Sequence, residues 1–253
     1  MVTLKNQAEL DRMREAGRVV GITLGRVADA VEPGISLAEL EAIGAACISE
    51  HGARPSFLDY HPRSAMTPYP ATLCLSVNDV IVHGIPDATV LKGGDIISID
   101  CGAEVGGYHG DAAVTVPVGE VDDDANHLMK VTSEALTAAI RAARPGATLG
   151  DVSHAVETTA RPYGILDGCG GHGIGTAMHE DPHVANTGRP GRGMRLRPGL
   201  VIAIEPMLIE SGGDEGWLRE DGWAIATADG SRAAHFEHTI AVTEDGPKIL
   251  TAP

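Results

Sequence analysis

The chain has 253 residues, 43% of them hydrophobic but only 3% aromatic, with 35 acidic against 19 basic side chains and a formal charge of −16. A chain of this length buries about three quarters of its extended surface in one or two domains, here around a core of Val, Ile, Leu and Ala. The charge opposes the phosphate neutralisation that nucleic-acid binding needs, which excludes a direct nucleic-acid substrate, and no apolar run approaches bilayer-spanning length, so no membrane association is expected.

From the N-terminus, MVTLKNQAELDRMREAG carries charges where a secretory signal would be apolar. Cys47, Cys74, Cys101 and Cys169 form no C-x-x-C pair, so reduced thiols in a cytoplasmic protein are expected. Leu10, Met13, Val20, Leu24, Val27 and Val31 predict a helix over 6–31 that ends before Pro33-Gly34. A second helix should start at Ser36, where Glu39 completes a capping box, and stop at Gly52. Further helices are expected from Asp122 to Arg144, and from a Thr148/Asp151 cap to about Arg161. Between them lie Val- and Ile-rich strand runs: TLCLSV, DVIVHGI, DIISIDCG, AAVTVPV, LVIAIEPML, GWAIATA and HTIAVT. The alternation of groups reads as a mixed α and β domain. The basic run Arg189, Arg192, Arg195 and Arg197 reads first as a solvated Gly/Pro loop, and second as a contact for an anionic surface such as a ribosome.

An internal repeat organises the strands. Residues 91–100, LKGGDIISID, match 196–205, LRPGLVIAIE, each a turn, an apolar strand and an acid. Downstream of each, a strand opens with H-x-acid, His109-Gly110-Asp111 and His235-Phe236-Glu237. Asp100 thus corresponds to Glu205 and Asp111 to Glu237, within one domain, 1–253, whose halves are about 91–116 and 196–242. A single acid at a strand end is usually exposed or caps a turn. Together, next to apolar runs, these carboxylates would repel one another unless protonated or bound to cations, and two divalent cations would balance their charge. Oxygen-rich coordination with an imidazole suits Mn, Fe, Co or Zn in a two-metal hydrolase. His172, among the glycines of GCGGHGIG, is the candidate nitrogen ligand.

Two motifs are set aside. Gly168, Gly170 and Gly173 satisfy G-x-G-x-x-G without the strand and long helix that dinucleotide binding needs. His179-Glu180-Asp181-Pro182-His183 satisfies H-E-x-x-H, but Pro182 is incompatible with both histidines lying on one helical face.

The motifs VNDVIVHGIP (77–86), SIDCGA (98–103), HGDAA (109–113), GGHGIG (170–175), MHEDP (178–182), AIEPM (203–207), DGW (221–223) and HFEHT (235–239) resemble the type I methionine aminopeptidases along nearly the whole chain. The resemblance implies an α+β pita-bread fold: a pseudo-two-fold antiparallel sheet with helices packed on its outer face. It also implies Asp100, Asp111, His172, Glu205 and Glu237 as ligands of two divalent ions (Co, Mn, Fe or Zn), with water activated by them attacking the first peptide bond. Glu205 would also shuttle the proton, while His83 and His179 would contact the substrate backbone and stabilise the tetrahedral intermediate. Trp223, Cys74 and a tyrosine would line the methionine pocket, with Met178 at its edge. Here PSFLDYHPRSAMTPYPATLC is longer than the family pattern, by an insertion at 61–68, so Tyr60 and Tyr69 are both candidates. The implied substrates are nascent polypeptide N-termini with a small second residue, and the implied form is a compact bacterial monomer.

Two alternatives resemble it less. Ser76 of SVND leaves too little chain before it for the N-terminal domain of an Xaa-Pro aminopeptidase. A non-catalytic pita-bread binding module would have lost ligands that this chain keeps.

Overall fold

Capping chemistry sets where the helices begin. In the computed structural model, which describes residues 2–63 and 65–252, Asn6 and Ser36 accept from the backbone N–H of Glu9 and Glu39, and both glutamates reach back to complete capping boxes. Helices α1 (Gln7–Asp29) and α2 (Leu37–Glu50) follow, then α3 (Asp123–Ala142) after the Asp122 cap and α4 (Leu149–Thr159) after Thr148. Gly52 follows the second helix at φ 66, the left-handed conformation expected of a stop.

The strands are β1 (Arg54–Pro55), β2 (Leu73–Val77), β3 (Val80–Val82), β4 (Ile96–Val105), β5 (Tyr108–Pro117), β6 (Gly164–Ile165), β7 (Gly170–Gly173), β8 (Glu180–Ala185), β9 (Val201–Ile204), β10 (Met207–Ile209), β11 (Gly216–Leu218), β12 (Ile225–Thr227), β13 (Ala233–His235), β14 (Glu237–Thr243) and β15 (Gly246–Ile249). A nine-stranded sheet runs β1-β4-β5-β14-β9-β7-β8, with β2 also on β4 and β15 also on β14; its ladders are antiparallel. The pairs β4–β5 and β9–β14 meet where β5 joins β14.

Two elements differ from expectation. Asp100 and Asp111 do not end their strands; both lie inside ten-residue strands joined by the Gly106-Gly107 turn. LVIAIEPML is not one strand but splits at Glu205-Pro206 into β9 and β10, which belong to different sheets. Pro206 has no N–H for a ladder, so the chain turns off the sheet there. Sequence patterning also missed β7, whose glycines lack the β-branched signal, and β8, which contains Pro182.

Alternation along the strands separates two faces. Ile97, Ile99, Cys101, Ala103 and Ala112 pack against Val20, Leu24 and Val27 of α1 and Leu40 of α2. Ile202, Ile204, Ile240 and Val242 pack against Ala135, Leu136 and Ala139 of α3 and Val152 of α4. The helices therefore cover one face, and the intervening residues form the other.

Candidate active site

That other face carries the acids. Asp100 lies opposite Ala113 and Asp111 opposite Gly102, while Glu237 of β14 lies opposite the same Ala113. Cross-strand partners and residues two apart share a face, so Asp100, Asp111 and Glu237 point together, away from the helices. Ala203 pairs with Thr239, which puts Glu205, two residues on, toward the same side. Gly173 pairs with Ile202, so His172 projects with Ala203 onto the acid face. The glycines around it serve strand packing: a Cβ at Gly171 would stand 2.1 Å from Ala203 O, and one at Gly173 2.1 Å from Asp181 O. Asn186 Nδ2 donates to Glu205 O at 3.0 Å and holds the backbone at the break after β9.

His172 Nδ1 lies 2.9 Å from Gly173 O. A carbonyl only accepts, so Nδ1 carries the proton and Nε2 presents a lone pair. Burial pushes this histidine down to about 4, leaving the ring neutral at pH 7. Its Nε2 is 3.7 Å from Asp111 Oδ2 and 3.6 Å from Glu205 Oε1, too long for hydrogen bonds.

Asp100, Asp111 and Glu237 are buried, and the Glu205 side chain is 15% exposed. Burial, and for Asp111, Glu205 and Glu237 the charge of neighbouring carboxylates, raise these acids above their usual range. Burial raises Asp100 as well, against a hydrogen bond that it shares with Asp111. Donor atoms of Asp111, His172 and Glu237 lie within 4.8 Å of one another, as do those of Glu205, His235 and Glu237. Asp100 stands beside Asp111 but outside both groups. Asp100 Oδ1, Asp111 Oδ1, Glu237 Oε1 and His235 Nε2 are buried without hydrogen-bond partners. Such atoms are costly unless a cation or proton meets them. Hard oxygens with neutral imidazoles are a donor set that fits divalent cations.

Sequence reasoning did not include His235 in the site. Its signal was the two-residue spacing to Glu237, but His109 has the same spacing to Asp111 and instead bonds Ser56 Oγ at 2.8 Å through Nδ1.

Above the cluster opens a cavity of about 420 Å³ whose lining includes Asp100, Asp111, His172, Glu205 and Glu237 together with His83, His179, Tyr60, Tyr69, Cys74, Met178 and Trp223. Both tyrosines face it. Tyr69 packs edge-on against Trp223 at 5.1 Å and its hydroxyl donates to Leu73 O and Gly84 O. Tyr60 stacks near His179 at 5.1 Å. Of the 61–68 insertion, Pro62 and Ala65 reach the cavity, while Ser64 lies outside the described residues. Phe57, Leu218 and Ile225 complete its apolar wall and were not singled out from sequence. Asp221 Oδ1 accepts from the N–H groups of Trp223 and Ala224, which fixes the turn presenting the indole. His83 adopts φ 60, and a Cβ on Gly84 would meet Leu75 O at 2.2 Å, so the H-G pair turns the imidazole into the cavity with its backbone tight on β2. The recessed setting, then the neighbouring His172 ring at 4.2 Å, lower His179; the same recess lowers His83. Burial and the nearby Asp100 charge push the Cys74 thiol up, so it lines the wall as a neutral group. The H-E-x-x-H residues lie on β8 and the segment before it, not on a helix, and the G-x-G-x-x-G glycines run into β7.

Known proteins resemble the chain in sequence and fold. The metallopeptidase family M24 model matches residues 11–244. Methionine aminopeptidase 1 of Mycobacterium tuberculosis is 49% identical over 99% of this chain and 95% of its own length, and methionine aminopeptidase 1 of Bacillus subtilis is 45% identical over 99% of both. The crystal structure of a methionine aminopeptidase from Thermotoga maritima superposes with TM-score 0.95 at 41% identity, covering 100% of each chain. A prolidase from Pyrococcus furiosus, 22% identical with TM-score 0.78 over 98% of this chain and 65% of its own, shares the fold alone. The fold is the pita-bread fold, and the chain belongs to metallopeptidase family M24, among its methionine aminopeptidases.

Proposed function

We propose that the protein removes the N-terminal methionine from nascent polypeptides whose second residue is small. The observation that carries this reading is the seating of the acid and histidine cluster at the base of a cavity walled by Tyr69, Cys74, Met178 and Trp223. Aromatic rings and soft sulfur make favourable contacts with an unbranched thioether. Asp100, Asp111, His172, Glu205 and Glu237 are the residues proposed to hold two divalent ions, of Co, Mn, Fe or Zn. Bound there, such ions supply Lewis acidity and a water acidic enough to act as nucleophile near neutral pH.

The chain's own residues account for the remaining roles. Glu205, whose side chain keeps 15% exposure on the cavity floor beside His172, is suited to take a proton and return it to the leaving amine. His83 and His179, held neutral in the recess on the cavity wall, would donate to the scissile carbonyl as its oxygen gains charge. Trp223, Tyr69, Cys74 and Tyr60 bind the side chain and exclude water from it.

In this reading one catalytic domain spans 1–253 and acts as a monomer in the cytoplasm, with the exposed turn of Arg189, Arg192, Arg195 and Arg197 available for transient ribosome contact. No helix among the described residues is long and apolar enough to cross a membrane. The test is release of free methionine from Met-Ala-Ser by chelator-stripped protein reconstituted with Mn(II) or Co(II), with Ala-Pro-Ala as the comparison. Cleavage of Ala-Pro-Ala alone would contradict the proposal.

A further inference from the structure

We propose that His235 is a second nitrogen donor to the metal centre, acting with Glu205 and Glu237 as His172 acts with its own carboxylates. This rests on the metal reading above. His235 is only 2% exposed and its Nε2 is buried without a hydrogen-bond partner, whereas His109 and His238, also in strands near the site, each have a side-chain partner. His109 Nδ1 meets Ser56 Oγ at 2.8 Å and His238 Nδ1 meets Thr251 Oγ1 at 2.8 Å. An imidazole nitrogen taken from water and left unpaired is costly.

The surroundings of that nitrogen specify its partner. Nε2 lies 3.9 Å from Glu205 Oε2 and 3.8 Å from Glu237 Oε2. These separations exceed a hydrogen bond, but donors held about 2.0–2.2 Å from one cation stand about 3–4 Å apart. His172 Nε2 repeats the pattern, at 3.7 and 3.6 Å from Asp111 and Glu205. Each histidine closes a group of three donors within 4.8 Å, and Glu237 belongs to both groups.

The backbone that carries the ring is also held in place. Thr115 Oγ1 accepts from His235 N at 2.9 Å and donates to His235 O at 2.8 Å, and Met207 pairs with His235 across β10 and β13. A backbone clamped on both sides fixes the direction in which the His235 side chain leaves the strand. One imidazole in each donor group makes the centre richer in nitrogen than five ligands with a single histidine, which favours Co, Fe and Zn over purely oxygen-seeking cations.

The test uses the full chain, stripped with chelator and titrated with Co(II), read by calorimetry and by X-ray absorption at the cobalt edge. The expected result is imidazole scattering from two histidines per two ions in the native sequence. It should fall by about half in His235→Gln, with at least one Co(II) bound about 10-fold more weakly or worse and the metal-free variant still melting cooperatively. One histidine per two ions in the native sequence would overturn the proposal whether or not any variant folds, as would an unchanged affinity in a folded His235→Gln. If His172→Gln loses Co(II) while His235→Gln keeps it, the metal reading stands and the role of His235 falls. If the native sequence binds no Co(II), both fall.

Discussion

Glu205 meets two demands at once, since its carboxylate faces His172 and His235 while retaining 15% exposure toward the cavity. A carboxylate that both binds a cation and carries a proton has no substitute in its amide, so Glu205→Gln should lower kcat by about 100-fold or more; near-native kcat in metal-replete protein would remove it from the proton path. Asp111 contributes to a donor group and has a buried oxygen without a partner. Asp111→Asn should lose bound metal, and unchanged stoichiometry after dialysis would strike it from the ligands. Trp223 presents its ring to the cavity from the Asp221 turn, so Trp223→Ala should raise KM for methionyl peptides about 10-fold while leaving Met and Leu less well distinguished. At this scale the repeat singled out the four acids, because paired acids at matched positions are improbable as surface accidents, while the glycine-rich segment singled out His172, and all five line one cavity. The sequence hid His235, whose spacing to Glu237 copies that of the structural His109, and it left Tyr60 and Tyr69 undecided because an insertion shifts register without saying which ring ends up on the wall.

Elements position those residues through caps and close approaches. Ser36 and Glu39 satisfy each other's backbone at the start of α2, and Ser36→Ala should cost about 1 kcal/mol in denaturant unfolding. Helix α1 lies on the strand behind Asp111: a Cβ at Gly110 would stand 2.8 Å from Gly17 N and 2.9 Å from Gly17 Cα. Gly110→Ala should therefore cost about 1–3 kcal/mol and weaken metal binding through the adjacent Asp111, and a variant as stable and as metal-avid as the native protein would contradict this contact. Helix starts were readable because capping is local in sequence. The short strand β7 was not, since its glycines answer to the carbonyls of Ala203 and Asp181 in neighbouring segments and no local pattern records a long-range approach, and β8 was masked by Pro182. The split of β9 from β10 was signalled only by Pro206, in the middle of an otherwise continuous apolar run.

For the whole molecule, the cluster couples stability to pH and to metal. Asp111, Glu205 and Glu237 have folded pKa values raised by burial and mutual charge. Above the unfolded carboxylate range the metal-free fold thus holds protons that the unfolded chain has released, and stability falls as pH rises toward the folded values. Buried His172, His179 and His235 are lowered to about 4, about 3 and about 3. They act in the opposite sense, with stability rising as pH climbs from those values to about 6.5, where the unfolded histidines are neutral. Above about pH 6.5 the histidine effect is complete, so the Tm of chelated protein should decline as pH rises through the folded carboxylate values, that of Asp100 being about 7, and divalent metal should restore it. Metal uptake near pH 7 should release protons, visible as a buffer-dependent calorimetric heat; heats independent of buffer would contradict raised carboxylates. Methionine removal is measured as free methionine released from Met-Ala-Ser before and after chelator-stripped protein receives Mn(II) or Co(II). Metal-dependent release with Ala-Pro-Ala left intact is the predicted result, and metal-loaded protein that cleaves only Ala-Pro-Ala, or neither peptide, would contradict it.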